Sequence, residues 1–118
     1  FYTGRLREQH GIEVIIPNNN DRAIVHSVIY EELCLGKVLD TSRAEYCRII
    51  QRLVERGAEG VILGCTEISL LIGAGDAQVP IFDTASIHAR KAAERALHDC
   101  ANTPNPALHA DAPHESRR

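Results

Sequence analysis

Apolar residues recur along this chain in two rhythms, and the alternation between them sets the expected architecture. Three short, nearly continuous runs read as strands: Ile12-Glu13-Val14-Ile15-Ile16, Gly60-Val61-Ile62-Leu63-Gly64 and Val79-Pro80-Ile81-Phe82. Pro17 stops the first because it has no N–H for a ladder, and Pro80 is tolerable at the start of the third. Between them the spacing widens to helical periods. Phe1 to His10 reads as the end of a helix closed by Gly11. Asn18-Asn19-Asn20-Asp21 is rich in N-cap residues and launches a helix with Ile24, Val25, Val28, Ile29 and Leu33 on one face, ended by Gly36. Ser42 with Glu45 predicts a capping box at the head of a further helix, whose stripe is Cys47, Ile50, Leu53 and Val54 and whose stop is Gly57.

Thr66 to Ile72 is expected as a short helix, Gly73 to Asp76 as a loop, and an alanine-rich helix capped by Asp83 or Thr84 runs to about Leu97. Strands alternating with helices at this spacing predict an α/β fold with a mostly parallel sheet. The continuous apolar run at 60–64 suits a strand covered on both faces, hence a three-layer sandwich. Ligands of such sheets bind beyond the carboxyl ends of the strands. Pro17–Asp21, Gly64–Glu67 and Phe82–Thr84 are therefore expected to gather on one edge.

Composition narrows the function. The chain has 118 residues, 44 % apolar and 25 % charged, with a net charge of −3, which suits one compact soluble domain. Basic residues are dispersed among acids and aromatics make up only 4 %, which argues against nucleic acid or anionic lipid as a partner. No apolar run approaches the ~20 residues of a membrane span, and no signal-peptide pattern opens the chain. Cys34, Cys47, Cys65 and Cys100 show neither metal-ligand spacing nor a disulfide framework, so a reducing cytoplasm is expected and no metal. Three of the five prolines fall after Asp99 among polar residues, so residues 1–98 are expected as the domain and 99–118 as a disordered tail. The absence of methionine, and a first residue inside a helical pattern, suggest a piece of a longer protein.

The chemistry concentrates at Gly64-Cys65-Thr66-Glu67. A strand ends in glycine and delivers a thiol where a helix is expected to start, and there the dipole favours thiolate. Cys65 could serve as nucleophile, base or acid, or fill a strand end as a small apolar residue. Thr66 could hold a substrate carboxylate or merely cap. Glu67 could orient site groups or favour the helix dipole. Lys37, just past Gly36, is a candidate cation for a distal carboxylate, or a solvated loop lysine. His88, one turn into the last helix, could face a site or be structural. Asn19, Asp21, Asp83 and Thr84 read at least as well as caps, and Cys34 and Cys47 as core thiols.

Gly64-Cys65-Thr66-Glu67, Val79-Pro80 leading to Asp83-Thr84, Ile87-His88-Ala89, and Ile29-Tyr30-Glu31-Glu32-Leu33 with Gly36 together resemble the C-terminal part of the cofactor-independent aspartate/glutamate racemase family, from Phe1 to about Leu97. The resemblance implies two similar, pseudo-symmetric α/β halves with the active site in the cleft between them. It implies one cysteine from each half, and neither pyridoxal phosphate nor metal. Cys65 matches the second cysteine; the first would lie upstream of Phe1. The last helix, 84–98, is then expected to pack on the other half, and a homodimer or association with that half is expected. The substrate implied is a dicarboxylic amino acid. Hydantoin racemase, maleate isomerase and arylmalonate decarboxylase are related alternatives. A non-catalytic carboxylate-binding or dimerisation module, and a thiol-dependent hydrolase pairing Cys65 with His88, remain as other classes.

Overall fold

The computed structural model describes residues 2–102. It contains helices α1 (Tyr2–His10), α2 (Asn19–Ser27) and α3 (Asp40–Glu55), strands β1 (Val61–Leu63) and β2 (Ile81–Asp83), and helix α4 (Thr84–Asn102). The strands pair in parallel, Val61 with Ile81, Ile62 with Phe82 and Leu63 with Asp83, so the fold is α/β with a parallel sheet, as expected. A Cβ at Gly60 would come within 2.9 Å of the Phe82 ring, so glycine lets that half-exposed ring lie against the backbone where β1 begins, and a larger residue would make it turn aside. The chain divides into two compact units after Ala85.

Alternation along β1 builds the core of the first unit. Val61 and Leu63 face inward with Val28, Leu33, Tyr46, Ile50, Leu71 and Ile72. Ile62 and Phe82, paired across the sheet, point the other way and are 46 % and 47 % exposed. Only one face of the sheet is thus covered within this unit. Among the described residues no helix is long and apolar enough to cross a membrane.

Several expectations needed correction. Residues 12–16 form no strand, and Ile12 and Ile16 are about half exposed. An extended run counts as a strand only when a neighbour completes its ladder, and here none does. The Ser42–Glu45 capping box is absent. Helix α3 starts three residues earlier, with Leu39 as its N-cap, and Ser42 is buried and donates its hydroxyl to Glu32 instead. Residues 66–72 give only a single 3₁₀ turn at Ile68–Leu70. Helix α4 continues through 99–102, past the expected tail boundary, and 103–118 lies outside the described residues.

The second predicted helix carries an irregularity that periodicity did not show. After α2 the chain widens into a π-helical turn, Val28–Glu32, then tightens into a 3₁₀ turn, Leu33–Leu35, before Gly36 ends it at φ 74°. Gly57 ends α3 at φ 99°; both stops need the left-handed region that glycine enters without strain.

Candidate active site

The parallel register brings the ends of β1 and β2 together. Thr84 Oγ1 donates to the Leu63 carbonyl at 2.8 Å, joining the two carboxyl ends, and Asp83 accepts the Ala85 N–H at 3.1 Å. Two of the three expected strand ends therefore share one edge. The third does not join them. Asp21 bonds to Arg52 in the last turn of α3, and the Ile16 carbonyl to Arg56 just past its end, on the side that leads into the start of β1. The side chains of Asn18 and Asp21 bond to each other and to Arg48 and Arg52, away from the Cys65 turn.

At the shared edge Cys65 is half-buried, between exposed Gly64 and Thr66, and so reachable from solvent. Its Sγ–H donates to Glu67 Oε2 at 2.8 Å, and Thr66 Oγ1 donates to the same oxygen, also at 2.8 Å. One carboxylate oxygen thus collects two protons' worth of hydrogen bonding from its two preceding neighbours. Bonding to Cys65 first, then to Thr66, holds the Glu67 carboxyl below its ordinary range.

The thiol moves the opposite way. The bond to Glu67 is the largest cause raising its pKa, followed by burial. The expectation of a helix-start thiolate is therefore reversed. Backbone N–H groups of Glu67 and Ile68 do pull the value down, but one 3₁₀ turn supplies little dipole, and the adjacent carboxylate outweighs it. At neutral pH Cys65 rests as a thiol with a base at hydrogen-bond distance. Substituting Glu67→Gln removes the negative charge and lowers the barrier to ionisation. Site-resolved alkylation of Cys65 by iodoacetamide at pH 7 is expected to become roughly three- to tenfold faster; an unchanged rate would deny Glu67 control of the thiol.

Tyr46 is a member of the site's surroundings that sequence reasoning missed. It is 4 % exposed and donates its hydroxyl to the Val25 carbonyl at 3.0 Å. Burial first, then the charges of Cys65 and Glu32, push its phenol up to about 12. The only sequence signal was its place four residues after Ser42, on the same helix face. A phenol of 10.0 when unfolded and about 12 when folded contributes stability in full below pH 10 and loses it as pH rises towards 12. Tyr46→Phe should flatten the alkaline loss of structure across that window, followed by circular dichroism.

The remaining expected residues are dispersed. Lys37 is exposed just past Gly36, its N–H held by the Glu32 carbonyl at 2.9 Å. His88 is exposed on α4, in the second unit. Within the first unit the group bonded to Cys65 is a carboxylate and not an imidazole. Cys34 is exposed and Cys47 half-buried, both as free thiols. Among the described residues no cluster of His, Cys, Asp and Glu could hold a metal ion.

Comparison with known proteins matches residues 1–92 to the Asp/Glu/hydantoin racemase family. The chain belongs to that family. Among solved structures, a Yersinia pestis protein assigned to the Asp/Glu racemases is 57 % identical, with a TM-score of 0.76 over 81 % of this chain. An aspartate racemase homologue from Pyrococcus horikoshii OT3 is 41 % identical, with a TM-score of 0.73 over 82 % of this chain. The chain covers 42 % of each, and so spans about two-fifths of the length of these racemase-family structures. The family match takes in the strand-end Cys65-Thr66-Glu67 turn, the Lys37 loop and the first turns of α4.

Proposed function

We propose that the protein to which this chain belongs is an amino-acid racemase acting on aspartate or glutamate without a cofactor. The reading is carried by one observation in a member of this family: a solvent-reachable strand-end thiol donating to the carboxylate two residues on. Racemisation removes the α-proton from one face of the carbon and returns a proton to the other. A single base restores the starting enantiomer, so two acid/base groups must flank the carbon. Cys65 is one of them. The other is a thiol from the part of the protein beyond this chain, facing Cys65 across a cleft between two similar halves.

In the resting state Cys65 is the protonated partner, ready to deliver a proton while the opposite thiolate removes one. Delivering that proton leaves Cys65 as the thiolate and the opposite group as the thiol, the state from which the reverse reaction starts; the Glu67 carboxylate, which accepts the Sγ–H bond, favours return to the resting thiol. Thr66 steadies that carboxylate through its hydroxyl, and its exposed position also allows a contact to the substrate α-carboxylate. Lys37 serves as the cation for the distal carboxylate, and His88 on α4 contributes from the second unit. Helix α4, exposed from Ser86 to His98, packs on the other half of the protein, or the halves meet through a homodimer. The free thiols Cys34, Cys47 and Cys65 suit a reducing cytoplasm.

The test is solvent-deuterium exchange at the α-carbon. The intact protein in D₂O should label aspartate or glutamate while converting either enantiomer to the other. The 118-residue chain alone should not, because only one of the two thiols is present. Exchange confined to a 5-substituted hydantoin would move the protein to the hydantoin branch of the family. No exchange with any of these acids would favour a non-catalytic carboxylate-binding module.

A further inference from the structure

The widened turn at Val28–Glu32 is gripped at both ends by one face of α3. At its head, Tyr46 Oη donates to the Val25 carbonyl, which lies one turn before the π segment. At its tail, Ser42, 6 % exposed, donates to Glu32 Oε2 across ten residues of sequence. Ser42 and Tyr46 are four residues apart and share a helix face. A π turn is uncommon, and here two hydroxyls of a neighbouring helix bond on either side of it, one to the Val25 carbonyl and one to the Glu32 carboxylate.

Glu32 has a second anchor. Its backbone leaves the helical region, at φ −123° and ψ −70°, and its carbonyl accepts the Lys37 N–H at 2.9 Å, while Leu33 accepts the Gly36 N–H at 2.9 Å. These two bonds close a glycine-terminated turn in the Schellman pattern. Buried Leu33 pins the same turn from the core side. One residue therefore fixes the loop twice, by its side chain to the head of α3 and by its main chain to Lys37.

We infer that Glu32 is a positioning residue that sets where the Lys37 ammonium stands, through the Ser42 hydroxyl on one side and the Lys37 N–H on the other. This rests on the reading of Lys37 as the distal-carboxylate cation. The placement fits the site: Leu33, beside Glu32, is buried in one cluster with Tyr46 and with Leu63, two residues before Cys65. A carboxylate holds a hydroxyl donor more strongly than a neutral amide does, and a loop held from two sides leaves the lysine less to reorganise on binding.

Two measurements on the intact protein decide it. Glu32→Ala should raise KM for aspartate or glutamate roughly tenfold with kcat within about twofold, the mark of lost ground-state and transition-state binding alike. Ser42→Ala should move KM the same way, by less, and Glu32→Gln, which keeps an acceptor oxygen, should recover most of it. In parallel, amide hydrogen exchange at Gly36 and Lys37 should quicken at least roughly tenfold in Glu32→Ala and Ser42→Ala while the β1 amides keep their protection. If Glu32→Ala does not fold, Ser42→Ala and Glu32→Gln carry both arms. Unchanged exchange at Lys37, or a fall in kcat at constant KM, overturns the inference. A wild-type protein with no α-proton exchange defeats the racemase reading instead, and the amide arm still decides whether Glu32 holds the turn.

Discussion

Replacing Cys65 by serine is expected to slow racemisation of aspartate or glutamate by the intact protein by roughly 10²–10⁴-fold, the usual worth of a positioned acid/base group. Serine keeps the hydrogen bond to Glu67 in kind, since a hydroxyl donates as a thiol does, so the turn should survive the change. It loses the capacity to ionise near neutral pH. The two enantiomers should then part company in the deuterium assay. The enantiomer whose α-proton faces position 65 should cease to exchange, because no base remains on that side. The other should still lose its proton to the opposite thiolate and regain a deuteron from the same face, exchanging without inverting. Equal loss for both enantiomers would show that Cys65 does something other than serve one face. Retention of racemisation would remove it from the chemistry.

The Glu67 arrangement bears on how that acid/base pair divides its states. A thiol raised by a neighbouring carboxylate is more fully protonated at rest, and its thiolate, once formed, is the stronger base. The hydrogen bond from Sγ–H to Glu67 Oε2 is what holds that proton in place. A single side chain two residues away thus biases Cys65 towards the protonated state. The Thr66 hydroxyl donates to the same oxygen, which shares the charge and tempers its hold on the thiol.

What the sequence made legible follows from which forces act locally. The strand–helix alternation, the parallel pairing and the glycine stops at Gly36 and Gly57 could be read because periodicity and left-handed turns are written in a few adjacent residues. The meeting of Gly64–Glu67 with Phe82–Thr84 followed from strand direction alone. The capping box at Ser42 failed for a different reason. Glu45 turned to Arg48, with Oε2 at 2.6 Å from Nη2, and Ser42 was claimed by Glu32, a partner ten residues upstream that no window of local sequence reveals. The bond from Tyr46 to Val25, across 21 residues and just before the π turn, is hidden in the same way. The thiol's ionisation is not legible in the sequence because the chain makes one 3₁₀ turn where the pattern suggests a helix start, leaving a side-chain carboxylate to decide the balance. Pro17–Asp21 was assigned to the catalytic edge from strand order, yet its ion pairs draw it to the second half of α3.

Those ion pairs carry the largest expected effect on stability. Asp21 is 2 % exposed and sits in the first turn of α2, where its N–H donates to the Asn18 cap at 2.9 Å. Arg52 Nη1 reaches both of its carboxylate oxygens at 3.0 Å, Arg48 Nη2 reaches one at 3.4 Å, and Asn18 Nδ2 donates to the other at 3.0 Å. The arginines are far more exposed than the acid, at 49 % and 34 % of their side chains. The two ends of the pair should therefore respond unequally to deletion. Removing a partner from a fully buried pair costs about 3–5 kcal/mol. With half of Arg52 already in water, and Arg48 still near but engaged by Glu45, Arg52→Met should cost about 2–3 kcal/mol, which lowers the melting temperature by roughly 10 °C in a domain of this size. Asp21→Asn should cost only about 1 kcal/mol. It keeps the acceptor oxygen and the cap, leaves no stranded charge, and lets both guanidinium groups return to solvent. The double variant should then be more stable than Arg52→Met alone, since the charge that Arg52 neutralised is gone; such a gain in a double-mutant cycle is the signature of direct coupling. Thermal melts of the four proteins would give the comparison. A larger loss for Asp21→Asn than for Arg52→Met would mean that the carboxylate's hydrogen bonds, rather than its burial against Arg52, hold α2 to α3.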